Sequence, residues 1–300
     1  MSLYAKTPMK ASYRHVVFVD PAHERRSPMN FGPSLPIRRA IASALMPQEL
    51  SFTSWLFDRA GLRVSRYRQE TIARRLPACL RMIRAHCISE ARNILDETPS
   101  LIPVAIGALV IGVTSFFRDP LVFQNLRKKI LPAMAHLQRP LRIWSAGCSD
   151  GQEMYSLAML LAEMGWLNRV DLLGTDCRTE AARHATAGIY SDADVRGVPG
   201  DFLKKYFDLH ERGWRIIAPL RTVVRWRSAD VLQVIEPGAW DMILCRNFAM
   251  YLEPEPALLL WQRLRRSLRP GGSLVVGKAE RPGVDGLRPI APCIFSRNCC

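Results

Sequence analysis

The chain has 300 residues, 48% of them apolar, and its 42 lysines and arginines against 27 aspartates and glutamates leave a formal charge of +15. That length supports one domain of ordinary size and a smaller one, with enough apolar material for a packed core. The longest apolar run, Leu101 to Val113, is too short to span a bilayer and is interrupted by Pro103; no apolar h-region is visible near the start; the eight cysteines show neither C-x-x-C pairs nor histidine spacing suited to zinc. The expectation is a protein without membrane insertion, secretory signal or metal, in a reducing cytoplasm, and Cys299-Cys300 is read as chance rather than as a prenylation signal.

Residues 1–45, rich in Pro and Arg with only the brief run Val16 to Val19, predict a poorly ordered arm. Residues 46–135 read as helical, with apolar positions at Leu50, Phe52, Trp55, Leu56 and Phe57 and then at Ile72, Leu76, Leu80 and Ile83. Pro77 is expected to break or kink the second of these helices, and Leu101 to Val113 to form a buried helix. Arg59, Arg63, Arg66, Arg68, Arg74, Arg75, Arg81 and Arg84 far outnumber nearby acids. Such a run reads either as a solvated face or as a surface steering an anionic partner, with Arg74 and Arg75 as candidate docking residues.

Residues 136–300 carry an α/β pattern. Arg142 to Ala146 reads as a buried strand entering the turn Gly147-Cys148-Ser149-Asp150-Gly151, and the helix that follows buries Tyr155, Leu157, Ala158, Leu160, Leu161 and Met164 before Gly165. A second strand, Val170 to Asp176, ends on an acid placed to take both hydroxyls of a ribose. Such a turn either binds an adenosine-like ligand or simply turns tightly. The Gly-x-x-x-Gly spacing is not the dinucleotide fingerprint, and no Gly-Lys-Ser/Thr is present to cradle a triphosphate. Glu153, in the first helical turn, would repel a phosphate and suits a cationic ligand; S-adenosylmethionine carries an ammonium and a sulfonium. Trp240 to Asn247 continues the pattern as a strand ending in polar residues, Pro254 to Leu268 as a helix stopped by Arg269-Pro270-Gly271-Gly272, and Ser273 to Gly277 as another strand. Strands alternating with helices predict a mostly parallel sheet covered on both faces, with Gly147, Asp176 and Arg246-Asn247 converging at the carboxyl ends of its strands. Trp214 to Ile217 and Thr222 to Trp226 are candidates for a hairpin around Pro219.

Thr114-Ser115-Phe116-Phe117-Arg118-Asp119-Pro120, the Trp-Ser-Ala-Gly-Cys-Ser-x-Gly-Gln-Glu turn, Gly174-Thr175-Asp176, Cys245-Arg246-Asn247 with Tyr251, and Leu268 to Gly272 follow one another in an order that resembles the CheR-type chemoreceptor methyltransferases. The resemblance covers roughly residues 50 to 280. It implies a Rossmann-like class I methyltransferase sheet with a small N-terminal all-helical domain, and methyl transfer from S-adenosyl-L-methionine to a glutamate carboxylate on a chemoreceptor-like protein. Carried over by position, it places Thr114, Arg118, Glu153, Asp176, Arg246 and Asn247 on the cofactor, beside the turn glycines Gly147 and Gly151. Asp230 and Val231 fall at the adenine end, and Arg118 and Tyr251 near the transferring methyl. Tyr251 has packing as its alternative role. The family's helical domain docks on an acidic helical receptor surface. Three departures stand out: Met154 where relatives usually have proline, Gly112 where an asparagine often contacts the cofactor, and Asp230 where an asparagine commonly meets the adenine. A carboxylate there still accepts a hydrogen bond from an adenine amino group. The segment Gly277 to Pro282 also differs from the usual ending.

A glutamate side chain is ionised at neutral pH, with a reference pKa of about 4.3, and attacks a sulfonium methyl without a general base. Nucleic-acid methylation is disfavoured: Cys245-Arg246-Asn247-Phe248 stands where base amino-group methylation needs Asn/Asp-Pro-Pro-aromatic, and Cys245 follows leucine where cytosine C5 methylation needs Pro-Cys. Methylation of another acceptor, small molecule or protein, and a non-catalytic cofactor-binding module remain the alternatives. A monomer is expected.

Overall fold

The computed structural model describes residues 44–110, 112 and 114–299, so the arm expected over residues 1–45 lies outside the described residues but for Ala44 and Leu45. Helix α1 (Pro47–Arg59) opens with proline, whose missing N–H is no loss there, and the Glu49 carboxylate accepts the Met46 N–H at 2.8 Å. Helix α2 (Gln69–Met82) continues through Pro77, so the break that proline predicts there does not occur. The exposed ring removes one donor, but Ile72, Leu76 and Cys79, spaced four and three apart, form a buried stripe that holds the helix on the core. Helix α3 spans Ile88–Glu97. The apolar run that follows is helical only as α4 (Ile102–Leu109), and Val110 leaves it in extended conformation. Short helices α5 (Pro120–Asn125) and α6 (Leu131–Ala133) flank a π-turn, Leu126–Ile130.

The rest of the chain alternates as the apolar periodicity predicts: β1 (Leu141–Ala146), α7 (Gln152–Glu163), β2 (Val170–Asp176), α8 (Thr179–Ala187), then an excursion before β6. That excursion comprises β3 (Ile189–Tyr190), α9 (Asp192–Val195), α10 (Gly200–Tyr206), β4 (Phe207–His210), β5 (Gly213–Ile216) and α11 (Ala218–Val223). Then come β6 (Val224–Ser228), β7 (Trp240–Cys245), α12 (Pro254–Ser267), β8 (Leu268–Val276), β9 (Leu287–Ala291) and β10 (Ile294–Arg297). Among the described residues the main sheet has seven strands in the order β6-β2-β1-β7-β8-β10-β9. The first five are parallel, and β10 and β9 close the edge antiparallel.

The strand order reverses between β1 and β7, which opens a crevice at their carboxyl ends. The expected hairpin around Pro219 does not form. Pro219 lies in α11, Trp214 pairs with Leu209 and Tyr190 in a small antiparallel sheet, β3-β5-β4, and Trp226 pairs in parallel with Gly174 in the main sheet.

Period-two alternation sends Trp144, Ala146, Ile243, Cys245, Leu274 and Val276 to one face, where they share a core with Phe52, Leu56, Ile72, Leu95 and Leu109 of the N-terminal helices. Ile143, Leu172, Met242, Leu244 and Val275 face the other side, against Tyr155, Leu157 and Leu161 of α7. The helical region is therefore seated on the sheet, and Arg68, the residue before α2, ties it to the segment after β7 by donating its Nε–H to Leu252 O at 2.9 Å.

Candidate cofactor pocket

The turn after β1 is held by β2: Gly147 and Cys148 donate their N–H groups to Thr175 O at 2.8 and 2.9 Å. Gly147, Ser149 and Gly151 all have positive φ, 76°, 52° and 94°, so the backbone coils tightly at a pocket lined by Gly147 and Ser149. Its lining brings together Thr114, Arg118, Gly147, Glu153, Asp176, Asp230, Val231, Arg246 and Asn247, nine of the sequence-predicted site residues. Gly151 lies outside the lining. A Cβ there would meet Ala185 Cβ at 2.8 Å, so glycine is required by the packing of α7 against α8. Tyr251 is also outside the lining, half-buried in the 3₁₀ turn after Asn247, where its carbonyl accepts the Arg68 N–H.

Arg74 and Arg75 sit on α2, away from the pocket. Arg74 is exposed, whereas Arg75 is half-buried and its Nε donates to Ala108 O at 2.6 Å, tying α2 to α4. The structure thus gives Arg75 a structural bond where the sequence suggested a docking contact.

Three carboxylates face the pocket, each already oriented. Glu153 accepts from Ser145 Oγ and from Arg246 Nη1, both at 2.9 Å. Arg246, buried at the end of β7, also donates to Arg118 O and Asp119. Lys278 adds a 2.9 Å ion pair to Asp119. Burial alone would raise the Asp119 carboxyl, but the Lys278 hydrogen bond and the charges of Arg246, Lys278 and Arg118 outweigh it and hold the group below its ordinary value. Asp176 accepts Ser149 N–H on Oδ2 and Arg178 N–H on Oδ1. Asp230 accepts Leu232 N–H at 2.9 Å and stands 3.6 Å from Arg66 Nη1, a charge contact longer than a hydrogen bond. Asparagine is replaced here by an acid, and an arginine from the helical region balances it.

The thiols at the site are inert. Burial, with the nearby charges of Asp176 and Glu153, raises Cys148 well above its ordinary value; burial also raises Cys177, and burial with Glu280 and Glu153 raises Cys245. Among the described residues no cluster of His, Cys, Asp and Glu could hold a metal, and no helix is long and apolar enough to cross a membrane.

Two residues outside the sequence-predicted set build the site. Arg178, two positions after Asp176, lines the pocket and carries no periodic or motif signal. Glu280 is buried, and its carboxylate accepts four backbone N–H groups, from Gly277 at 2.6 Å, Phe248 at 2.8 Å, Asn247 at 2.9 Å and Met250 at 3.3 Å. This carboxylate fixes the loop in which Asn247 takes a left-handed φ of 56°.

The pocket fits S-adenosyl-L-methionine on its own chemistry. It combines a hydroxyl-binding acid on β2, a second acid at a helix start suited to a cation, a glycine floor at Gly147, and a buried donor, Arg246 Nε, with no hydrogen-bond partner among the described residues.

Residues 112–286 match the family described as CheR methyltransferase, SAM binding domain. The chain is 29% identical over 235 residues to a chemotaxis protein methyltransferase of Listeria monocytogenes, covering 77% of this chain and 89% of that protein. It is 30% identical over 241 residues to chemotaxis protein methyltransferase 1 of Pseudomonas aeruginosa, covering 76% and 88%. To chemotaxis protein methyltransferase 1 of Vibrio cholerae it is 28% identical over 239 residues, covering 76% and 87%.

Proposed function

The chain belongs to the CheR methyltransferase family and is an S-adenosyl-L-methionine-dependent methyltransferase, and on that premise we propose that its methyl acceptor is a glutamate carboxylate on an acidic, chemoreceptor-like protein. The observation that carries this reading is the composition of the pocket wall. Among the described residues lining it there is no histidine, lysine or tyrosine, and each carboxylate is committed to an arginine or to backbone N–H groups. The wall therefore offers no general base to an amine or alcohol, and an acceptor that arrives already ionised needs none.

The bound cofactor supplies a methyl group on a sulfonium centre. Asp176 would hold the ribose end, Asp230 and Val231 the adenine end, and Glu153 the amino-acid end, with Arg246 keeping Glu153 in place. Arg118, half-buried in the pocket wall, is the residue that orients the incoming carboxylate toward the methyl, a role suited to a guanidinium. Charge on both reactants disappears as the methyl moves, so alignment and exclusion of water outweigh electrostatic stabilisation of the product. Tyr251, on the turn beyond Asn247, lies outside the pocket lining and contributes through its carbonyl, which accepts the Arg68 N–H. Arg74, exposed on α2, belongs to the surface that attracts the acidic partner.

The test is transfer of labelled methyl to a receptor cytoplasmic fragment. Methyl esters release methanol in mild alkali, whereas N-methyl and ether products do not. Volatile label after alkaline treatment is the expected result, and label retained on the acceptor overturns the reading.

A further inference from the structure

Position 112 and position 178 are far apart in sequence and meet at the ribose end of the pocket. The Arg178 guanidinium lies directly over Gly112: a Cβ added at 112 would sit 2.3 Å from Nη1, 2.5 Å from Cζ and 2.6 Å from Nη2. The same guanidinium is anchored on three sides. Its Nε donates to Asp176 Oδ1 at 3.0 Å, its Nη2 donates to Ser149 Oγ at 2.9 Å, and Nη2 stands 3.6 Å from Asp150 Oδ1. Ser149 Oγ in turn donates to Gly112 O at 2.6 Å, closing a ring of contacts through the glycine's own backbone. Only 13% of the Arg178 side chain is exposed.

This arrangement changes what Asp176 can offer. A carboxylate has about four lone-pair positions. On Asp176, Oδ1 takes both the main-chain N–H and Nε of Arg178, and Oδ2 takes Ser149 N–H. One position is left, on Oδ2, for two ribose hydroxyls. The guanidinium lines the same wall and offers the complementary bond, donating N–H to the oxygen of the hydroxyl that the carboxylate cannot take.

We propose that Arg178, admitted by the absence of a side chain at Gly112, is a cofactor-positioning residue that shares recognition of the ribose diol with Asp176. An alanine or asparagine at 112 would push the Arg178 guanidinium out of this position, so the glycine and the placement of the arginine act as one unit. The inference rests on the cofactor alone and is independent of which acceptor is methylated.

The experiment is calorimetry of S-adenosylhomocysteine, and of its analogue lacking both ribose hydroxyls, with the full chain and with Arg178→Ala, Gly112→Ala and the double variant. Loss of hydrogen bonds to a charged group corresponds to roughly tenfold or more in affinity. Arg178→Ala is expected to weaken S-adenosylhomocysteine by about that factor. Gly112→Ala, which displaces the guanidinium, should do the same. The double variant should bind no more weakly than Arg178→Ala alone. The preference of the wild-type protein for the ribose ligand over the analogue should shrink in each variant, a change that a purely structural role would not produce. Melting of each variant without ligand monitors folding; if Arg178→Ala does not fold, Gly112→Ala and Arg178→Gln carry the comparison. Additive losses in the double variant, wild-type affinity in Gly112→Ala, or equal loss for both ligands would overturn the proposal.

Discussion

Replacing Glu280 perturbs the loop that carries Arg246 and Asn247 by removing the acceptor of its backbone N–H groups, Asn247 N–H among them. Three of its four N–H partners lie within 2.9 Å, and Gly277 leaves no room to rearrange, since a Cβ there would meet Asn247 Nδ2 at 2.7 Å. Hydrogen bonds to a charged group contribute about 1.5–3 kcal/mol each. Relaxation of the loop and entry of water recover part of that sum, so Glu280→Ala should cost about 3–5 kcal/mol, within the range for breaking a buried network.

Glutamine is not a conservative replacement here. Oε2 faces the N–H groups of Gly277 and Asn247, and Oε1 faces those of Phe248 and Met250. Whichever oxygen becomes an amide nitrogen confronts two donors with a donor, so Glu280→Gln should still lose about 2 kcal/mol. Urea denaturation gives the free energies, and thermal melting should fall by roughly 6–20 °C for alanine at about 2–4 °C per kcal/mol. Cofactor affinity, measured in parallel, should drop in both variants because the Asn247 loop loosens. A loss below about 1 kcal/mol for both, or wild-type behaviour of the glutamine variant, would refute the idea that this carboxylate organises the loop.

Asp176→Ala should weaken S-adenosylhomocysteine binding by about 1–3 kcal/mol in calorimetry, the scale of a lost charged hydrogen bond. Arg74→Glu should reduce the methylation rate with a protein acceptor and flatten its salt dependence while leaving melting unchanged, whereas Arg75→Glu, which severs the bond to Ala108 O, should lower the melting temperature. Asp119 has a folded-state value held below its ordinary 3.8, so its contribution to stability is complete above that pH and is lost as pH falls through the lower value. Acid titration of Asp119→Asn should accordingly show a shallower loss of stability at low pH than the wild-type protein.

Local patterns in the sequence determined the parts that depend on local physics. The apolar run of β1, the three- and four-residue spacing of α7 and the acid ending β2 read correctly because side-chain period and chain turning are set within a few residues. Those same elements place Gly147, Glu153 and Asp176 at the carboxyl ends of adjacent strands, which is why nine of the predicted residues line one pocket.

Misreadings fell where distant segments decide. Val224–Ser228 has strand character, but its partner is β2 some fifty residues earlier, not the nearby Trp214 segment, and pairing in a parallel sheet carries no short-range signature. Pro77 predicts a break from local propensity, but burial of Ile72, Leu76 and Cys79 outweighs one missing hydrogen bond. Glu280, Arg178 and Arg66 carry no motif that marks them. Glu280 matters because β8 brings it beneath the loop after β7, Arg178 because Gly112 leaves space for its guanidinium, and Arg66 because the helical region is seated beside Asp230. The elements and the acids at their ends follow from local chain chemistry; which charges meet does not, since a carboxylate's partners are chosen by distances that folding creates between residues far apart along the chain.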